Sequence, residues 1–233
     1  MASAKSVELY CLRTGRGGQD ETLFLFPFIS SLSGSNSIES QNIDCEIVPI
    51  NLLKGEQKSD EYAQINSQQL LPALELDDGR VITQSLAICE WLDVNHPVPR
   101  LIPGDNYEAA KVRALALSIA SDIHPINNLR ILKYLESELS VTAEAKNQWY
   151  RHWVKEGLAA IEASLSADQY CFGKELTLAD VCLVPQVYNA VRFDVHMSQY
   201  PKIAAIDNAC NQNQAFIDAH PDNQLDSPAT EAM

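Results

Sequence analysis

"PALELDDGRVITQSLAICEWLDVNH", residues 72–96, decides the fold of the first part of the chain. Two alternating apolar runs, "PALEL" and "RVIT", flank Asp78-Gly79, and such a pair turns an extended chain back on itself. A helical pattern follows at once, with Leu86, Cys89 and Trp91-Leu92 on roughly one face. The stretch therefore reads as strand, strand, helix. Working outward, "VELYCL" (7–12) and "CEIVPIN" (45–51) are short apolar runs rich in strand formers. Pro49 cannot donate to a ladder, which puts the second run at a sheet edge or strand end. "SDEYAQIN" (59–66) reads as a short helix with Ser59 as N-cap and acidic residues in its first turn. The order is β, an unassigned stretch, β, α, β, β, α. That order is a thioredoxin-like arrangement.

Beyond this the pattern changes. "NHPVPRLIPG" (95–104) holds three prolines and a glycine and reads as a linker. Every later segment has helical spacing. Pro125 should break the long pattern over 106–139. Residues 142–166 form an amphipathic helix, with Trp149, Trp153, Leu158 and Ile161 predicted on one face. "TLADVCLVPQVYNAVRF" (177–193) opens on a capping box of Thr177 and Asp180. Residues 200–220 add one or two helices, and no internal repeat is visible. The expected organisation is a thioredoxin-like α/β domain over 1–94, a linker over 95–104, an all-helical domain over 105–222 and a flexible tail over 223–233.

Composition narrows the function classes. Apolar residues make up 46% of the 233, enough for a sizeable core, and the net charge is −14. Such a charge argues against nucleic acid and against anionic membrane surfaces. An anionic ligand would need a local pocket working against the overall field. The six cysteines, at 11, 45, 89, 171, 182 and 210, show no CxxC and no zinc-ligand spacing. No metal site is expected. The first residues lack a signal-peptide core, and no run of 18 apolar residues exists. The expectation is a reduced, soluble, cytoplasmic protein.

A thioredoxin-like half followed by an all-helical half is the plan of the cytosolic glutathione transferases. "NLLKGEQKSDEY", "LLPALELDDG", "TQSLAICEWLD", "DIHPINNLRILKYL", "WYRHWVKEGLAAIE" and "TLADVCLVPQVYNAVRFDV" resemble the zeta class, the maleylacetoacetate isomerases, from about Ile43 to Asp222. The resemblance implies glutathione as cofactor and a homodimer. It also implies a set of site residues. In "LLPAL", Leu71 precedes a proline that this fold keeps cis, and its backbone N–H and C=O would pair with the cysteinyl part of glutathione. In "TQSLA", Gln84 and Ser85 open a helix whose N-terminus would take the γ-glutamyl carboxylate; the plain reading is Ser85 or Thr83 as a helix cap. Gln57 aligns with a further glutathione contact, whereas Lys54 reads as a solvated loop charge. In "DIHPINNLRI", His124, Asn128 and Arg130 would face the cleft, and His124 is nearly as well read as an inter-helix histidine. In "YNAVRFDV", Arg192 would clamp a substrate carboxylate with its planar fork, against a surface ion pair with Asp194 as the plain reading.

The family follows its first strand with a serine whose hydroxyl stabilises the glutathione thiolate. Here "CLRTGRGGQDETLFLFPFISSLSGSNSIESQN" occupies residues 11–42, longer than the family pattern and serine-rich where an amphipathic helix belongs. Residues 12–42 are thus atypical. Two alignments compete: Ser30 and Ser31 as a displaced serine motif, or Thr14 beside Arg13. Cys11 is a third candidate, expected to be inert within its strand. The activity implied is the glutathione-dependent cis–trans isomerisation of maleylacetoacetate to fumarylacetoacetate, in tyrosine and phenylalanine breakdown, with Arg192 on the dicarboxylate. Maleylpyruvate isomerisation and general glutathione transfer are alternatives in the same class. A catalytically impaired dimeric relic is the alternative outside it.

Overall fold

The computed structural model describes residues 6–12, 44–52, 54–97 and 99–220. The chain divides into two compact units, 1–100 with 213–233, and 101–212. The first holds a four-stranded sheet of β1 (Ser6–Leu12), β2 (Asp44–Ile50), β3 (Ala73–Leu76) and β4 (Val81–Thr83), in the order β2-β1-β3-β4. β1 runs parallel to β2, Val7 opposite Cys45, and antiparallel to β3, Val7 opposite Leu76. Pro49 lies on β2, an edge strand of the described sheet.

The β3–β4 hairpin forms where the turn residues place it. Gly79 takes φ 79°, a left-handed conformation that glycine adopts without Cβ strain, and its N–H donates to the Leu76 carbonyl at 2.8 Å. Asp78 accepts from the Arg80 backbone N–H (3.1 Å) and Nε (2.8 Å), stiffening the loop. Helix α1 (Asp60–Ile65) starts at Ser59, whose hydroxyl accepts from the Tyr62 N–H at 3.1 Å. Helix α2 (Ser85–Asn95) buries Ile88, Cys89, Leu92 and Asp93. This corrects the expected face, for Leu86 and Trp91 are only half-buried. The stripe is turned so that Asp93 is inside, 3.7 Å from Arg100 Nε. With Leu74 and, from the short helix α8 (Gln214–Ala219), Phe216, these side chains are among the core of the first unit.

The second unit contains α3 (Asn106–Leu117), α4 (Leu129–Ser137), α5 (Ala143–Ser164), α6 (Leu178–Arg192) and α7 (Pro201–Cys210). α6 is buried nearly all round from Leu178 to Val187, and α3 and α7 pack against it. Its start is set by Asp180, wholly buried. One carboxylate oxygen accepts from the Thr177 N–H (2.9 Å) and hydroxyl (2.8 Å), the other from the Cys171 N–H (2.7 Å). α5 buries Tyr150, Val154, Leu158 and Ile161. The predicted face is therefore corrected: Leu158 and Ile161 belong to it, but Trp149 is half-buried and Trp153 exposed. The two indoles pack edge-to-face at 5.7 Å beside the core stripe. Cys89, Cys171, Cys182 and Cys210 are buried, and burial pushes the thiols of Cys89, Cys171 and Cys210 up, so these three stay protonated hydrophobes. Among the described residues, no helix is long and apolar enough to cross a membrane.

Pro125 does interrupt the long helix, and the interruption begins before it. Residues Ser118–Ile123 form a π-helical turn, then Pro125–Asn127 a 3-10 turn. Gly157 on α5 lets the turn come close, because a Cβ there would collide with Cδ1 and Cγ1 of Ile123. We expect Gly157→Ala to destabilise the protein by about 1–3 kcal/mol, read from the urea midpoint at constant m-value. A second expectation concerns pH. Burial pushes the Asp207 carboxyl up to about 6, opposed by its bond with Asn211. Its charged form is thus disfavoured in the folded state. This stability is whole below about pH 4, the ordinary carboxylate range, and is lost as pH rises through about 6. Asp207→Asn should stabilise by about 1–2 kcal/mol at pH 7 and not at acid pH, as thermal melts at the two pH values would show.

Candidate active site

The β3–β4 register pairs Ala73 with Thr83. It follows that Leu71–Pro72, just before β3, and Gln84–Ser85, just after β4, share one end of the hairpin. The Leu71–Pro72 bond is cis, as the family resemblance implies. The carbonyl of Leu70 accepts two hydrogen bonds of 2.7 Å, from the Tyr62 hydroxyl and from Asn66 Nδ2. Gln84 occupies the N-cap of α2 at φ 75°, ψ 121°, and among the described residues no side chain caps the helix. Thr83 and Ser85 are therefore not its caps, and the plain reading of them is set aside. Among the described residues no side-chain acceptor meets the first-turn N–H groups of α2, where the positive end of its dipole lies. A non-glycine residue held at such a φ costs about 1–3 kcal/mol and marks a place where the fold over-determines the backbone. Gln84 Nε2 donates to Gln68 Oε1 at 3.2 Å, which ties the helix start to the loop before Leu71. Gln57 sits on a 3-10 turn, Glu56–Lys58, and its Oε1 is buried with no hydrogen-bond partner. Lys54 is exposed on its loop.

In the second unit, His124 and Asn128 bracket the 3-10 turn. Both are half-buried. The His124 N–H closes the π-turn on the Ile119 carbonyl at 2.9 Å. Asn128 is the N-cap of α4, its side chain accepting from the Arg130 N–H at 3.2 Å. The turn is pinned by Trp149, whose indole N–H donates to the Ile126 carbonyl at 3.0 Å. Arg130 is exposed on the first turn of α4. Arg192 ends α6, with its guanidinium carbon 5.7 Å from the Tyr188 ring centroid. A groove of about 600 Å³ opens elsewhere in this unit, lined by Lys111, Leu115, Asp122, Trp153, Gly157 and Phe172 among others. His124, Asn128, Arg130 and Arg192 do not line it. Thr14, Ser30 and Ser31 lie outside the described residues.

Sequence reasoning named Leu71, Gln84 and Ser85 but missed Tyr62 and Asn66. Their joint hold on Leu70 leaves no pattern in the chain beyond an ordinary helix end. It also missed the φ of Gln84, which tertiary packing imposes. We expect Gln84→Gly to raise stability by about 1 kcal/mol by relieving that φ, measured by urea denaturation; an equal or lower stability would mean that Gln84 sits there without strain.

Residues 36–100 match the family model of the glutathione S-transferase N-terminal domain. A probable maleylacetoacetate isomerase of Vibrio cholerae is 51% identical over 175 residues, 74% of this chain and 81% of that protein. Among solved structures, a holo maleylpyruvate isomerase, a bacterial zeta-class glutathione transferase, superposes with a TM-score of 0.83 at 39% identity, covering 94% of this chain and 99% of the other. A maleylacetoacetate isomerase from Anaeromyxobacter dehalogenans, with glutathione in its active site, superposes with a TM-score of 0.80 at 33% identity, covering 97% and 99%. With a relative so similar over most of its length, and a two-unit fold shared almost end to end, the chain belongs to the zeta-class glutathione transferases, the family of the maleylacetoacetate isomerases.

Proposed function

We propose that this protein catalyses the glutathione-dependent cis–trans isomerisation of maleylacetoacetate to fumarylacetoacetate, a step in tyrosine and phenylalanine breakdown. The observation that carries the reading is the hairpin end where the Leu71 backbone meets the uncapped start of α2 at the strained Gln84. Glutathione fits the residues present. Its extended backbone suits the N–H and C=O of Leu71, its γ-glutamyl carboxylate suits the first-turn N–H groups at Ser85, and the unpaired amide oxygen of Gln57 supports a further polar contact. When bound, glutathione supplies the thiolate that adds reversibly to the cis double bond and so permits rotation about it. The chain's own residues bind, orient and neutralise. Arg192 takes the substrate carboxylate with its planar donor fork, braced by the Tyr188 ring. Arg130 adds positive charge, and His124 and Asn128 support the developing oxyanion. The thiolate-stabilising hydroxyl falls to Thr14 or to Ser30 and Ser31. A cytoplasmic homodimer belongs to the same reading.

Maleylpyruvate is the second substrate to test, favoured by the 39% identity to a maleylpyruvate isomerase. The decisive assay follows loss of each maleyl substrate by absorbance, with and without glutathione. Turnover is expected only with glutathione. Arg192→Met should raise KM for the keto acid by about 10- to 100-fold, the weight of a charge-assisted hydrogen bond, and leave KM for glutathione within about twofold. A folded protein that neither binds glutathione nor turns over would instead be the catalytically impaired relic.

A further inference from the structure

Tyr62 and Asn66 are two polar side chains that the first unit buries almost completely, at 2% and 4% exposure. Tyr62 comes from the first turn of α1 and Asn66 is its C-cap, and both donate to one oxygen, the Leu70 carbonyl, at 2.7 Å. A carbonyl has two lone pairs, so this one is fully used. The C=O of Leu70 and the N–H of Leu71 belong to the same planar peptide and point in opposite directions. Fixing the oxygen from one side therefore aims the Leu71 N–H to the other. Asn66 does more. Its Oδ1 accepts from the Gln68 N–H at 3.0 Å, and its carbonyl from the Gln69 N–H at 2.9 Å. Gln68 in turn accepts from Gln84 at 3.2 Å. An unbroken chain of hydrogen bonds thus runs from α1 through the loop 67–70 to the start of α2.

We propose that Tyr62 and Asn66 are positioning residues for glutathione, which set the Leu71 N–H and its spacing from the N-terminus of α2. The inference rests on the proposed reading of Leu71 and Ser85 as glutathione contacts. Neither side chain touches the ligand. They hold the peptide that does, so their loss should weaken binding without removing a contact.

The test is titration calorimetry of the full chain with reduced glutathione, comparing wild type with Tyr62→Phe and Asn66→Asp. Tyr62→Phe removes one oxygen and keeps the ring. Asn66→Asp keeps the acceptor for Gln68 but turns an anion toward the Leu70 carbonyl. A positioning role predicts a Kd raised about 3- to 10-fold in Tyr62→Phe, the worth of one net hydrogen bond, and at least as much in Asn66→Asp, with binding stoichiometry unchanged. A merely structural role would lower the stoichiometry, as part of the protein unfolds, and leave the Kd of the remainder at the wild-type value. That result, or a Kd within twofold of wild type in Tyr62→Phe, overturns the proposal. Should Asn66→Asp not fold, Tyr62→Phe decides alone. A wild-type protein that is folded and does not bind glutathione overturns the proposed function itself, and this inference with it.

Discussion

The meeting of Leu71 with the start of α2 in the first unit hangs on the register of one hairpin. Pairing Ala73 with Thr83 puts the residues that precede β3 beside those that follow β4. A slip of one residue would turn every side chain of β4 to the other face and carry the start of α2 away from Leu71. The register is held at the far end, where Gly79 in the left-handed region and the Asp78–Arg80 contacts fix the length of the loop. It is held at the near end by the Gln84–Gln68 bond. A short turn with one glycine thus controls geometry several residues away, because a strand of three or four residues has no slack.

Such local devices are what the amino-acid sequence makes legible. Ser59 before an acidic helix start, Thr177 three residues before Asp180, Asp78-Gly79 between alternating runs and Pro49 at an edge each act through neighbours within five residues. Each stands in the structure where the chain placed it. Leu71, Gln84 and Ser85 were singled out by the family resemblance, and they flank elements whose ends local rules define.

What escaped the sequence acts across distance. α5 carries two adjacent stripes that a 3.6-residue period cannot rank. Large indoles suggest the core, yet Tyr150 and Val154 go inside and Trp149 and Trp153 form the shoulder. Trp149 instead has a polar task at the Ile126 carbonyl, 23 residues away. Pro125 foretold a break, but not that the chain would widen into a π-turn ahead of it, which depends on Ile123 fitting over Gly157. Gln84 is a residue that no propensity would set at φ 75°; the strands and helix on either side impose it.

A net charge of −14 makes the choice of donors in the first unit a physical matter. Lysine and arginine side chains elsewhere are drawn to carboxylates: Arg80 to Asp78, Lys111 to Glu108, Lys146 to Glu136, Arg151 to Glu144. With 31 acidic residues against 17 basic ones, a flexible cation placed at the hairpin end would meet a resident carboxylate before it met a ligand. Backbone N–H groups do not have that freedom. Their direction is set by the peptide plane and the helix start, and a partial charge at a helix N-terminus cannot swing away to a neighbouring glutamate. On the proposed function, an acidic protein that holds an anionic tripeptide is served best by rigid neutral donors, with the Arg192 guanidinium, which lies over the Tyr188 ring, proposed for the substrate carboxylate. On that proposal rigidity is what the hairpin end needs, and two buried polar side chains holding a single carbonyl supply it.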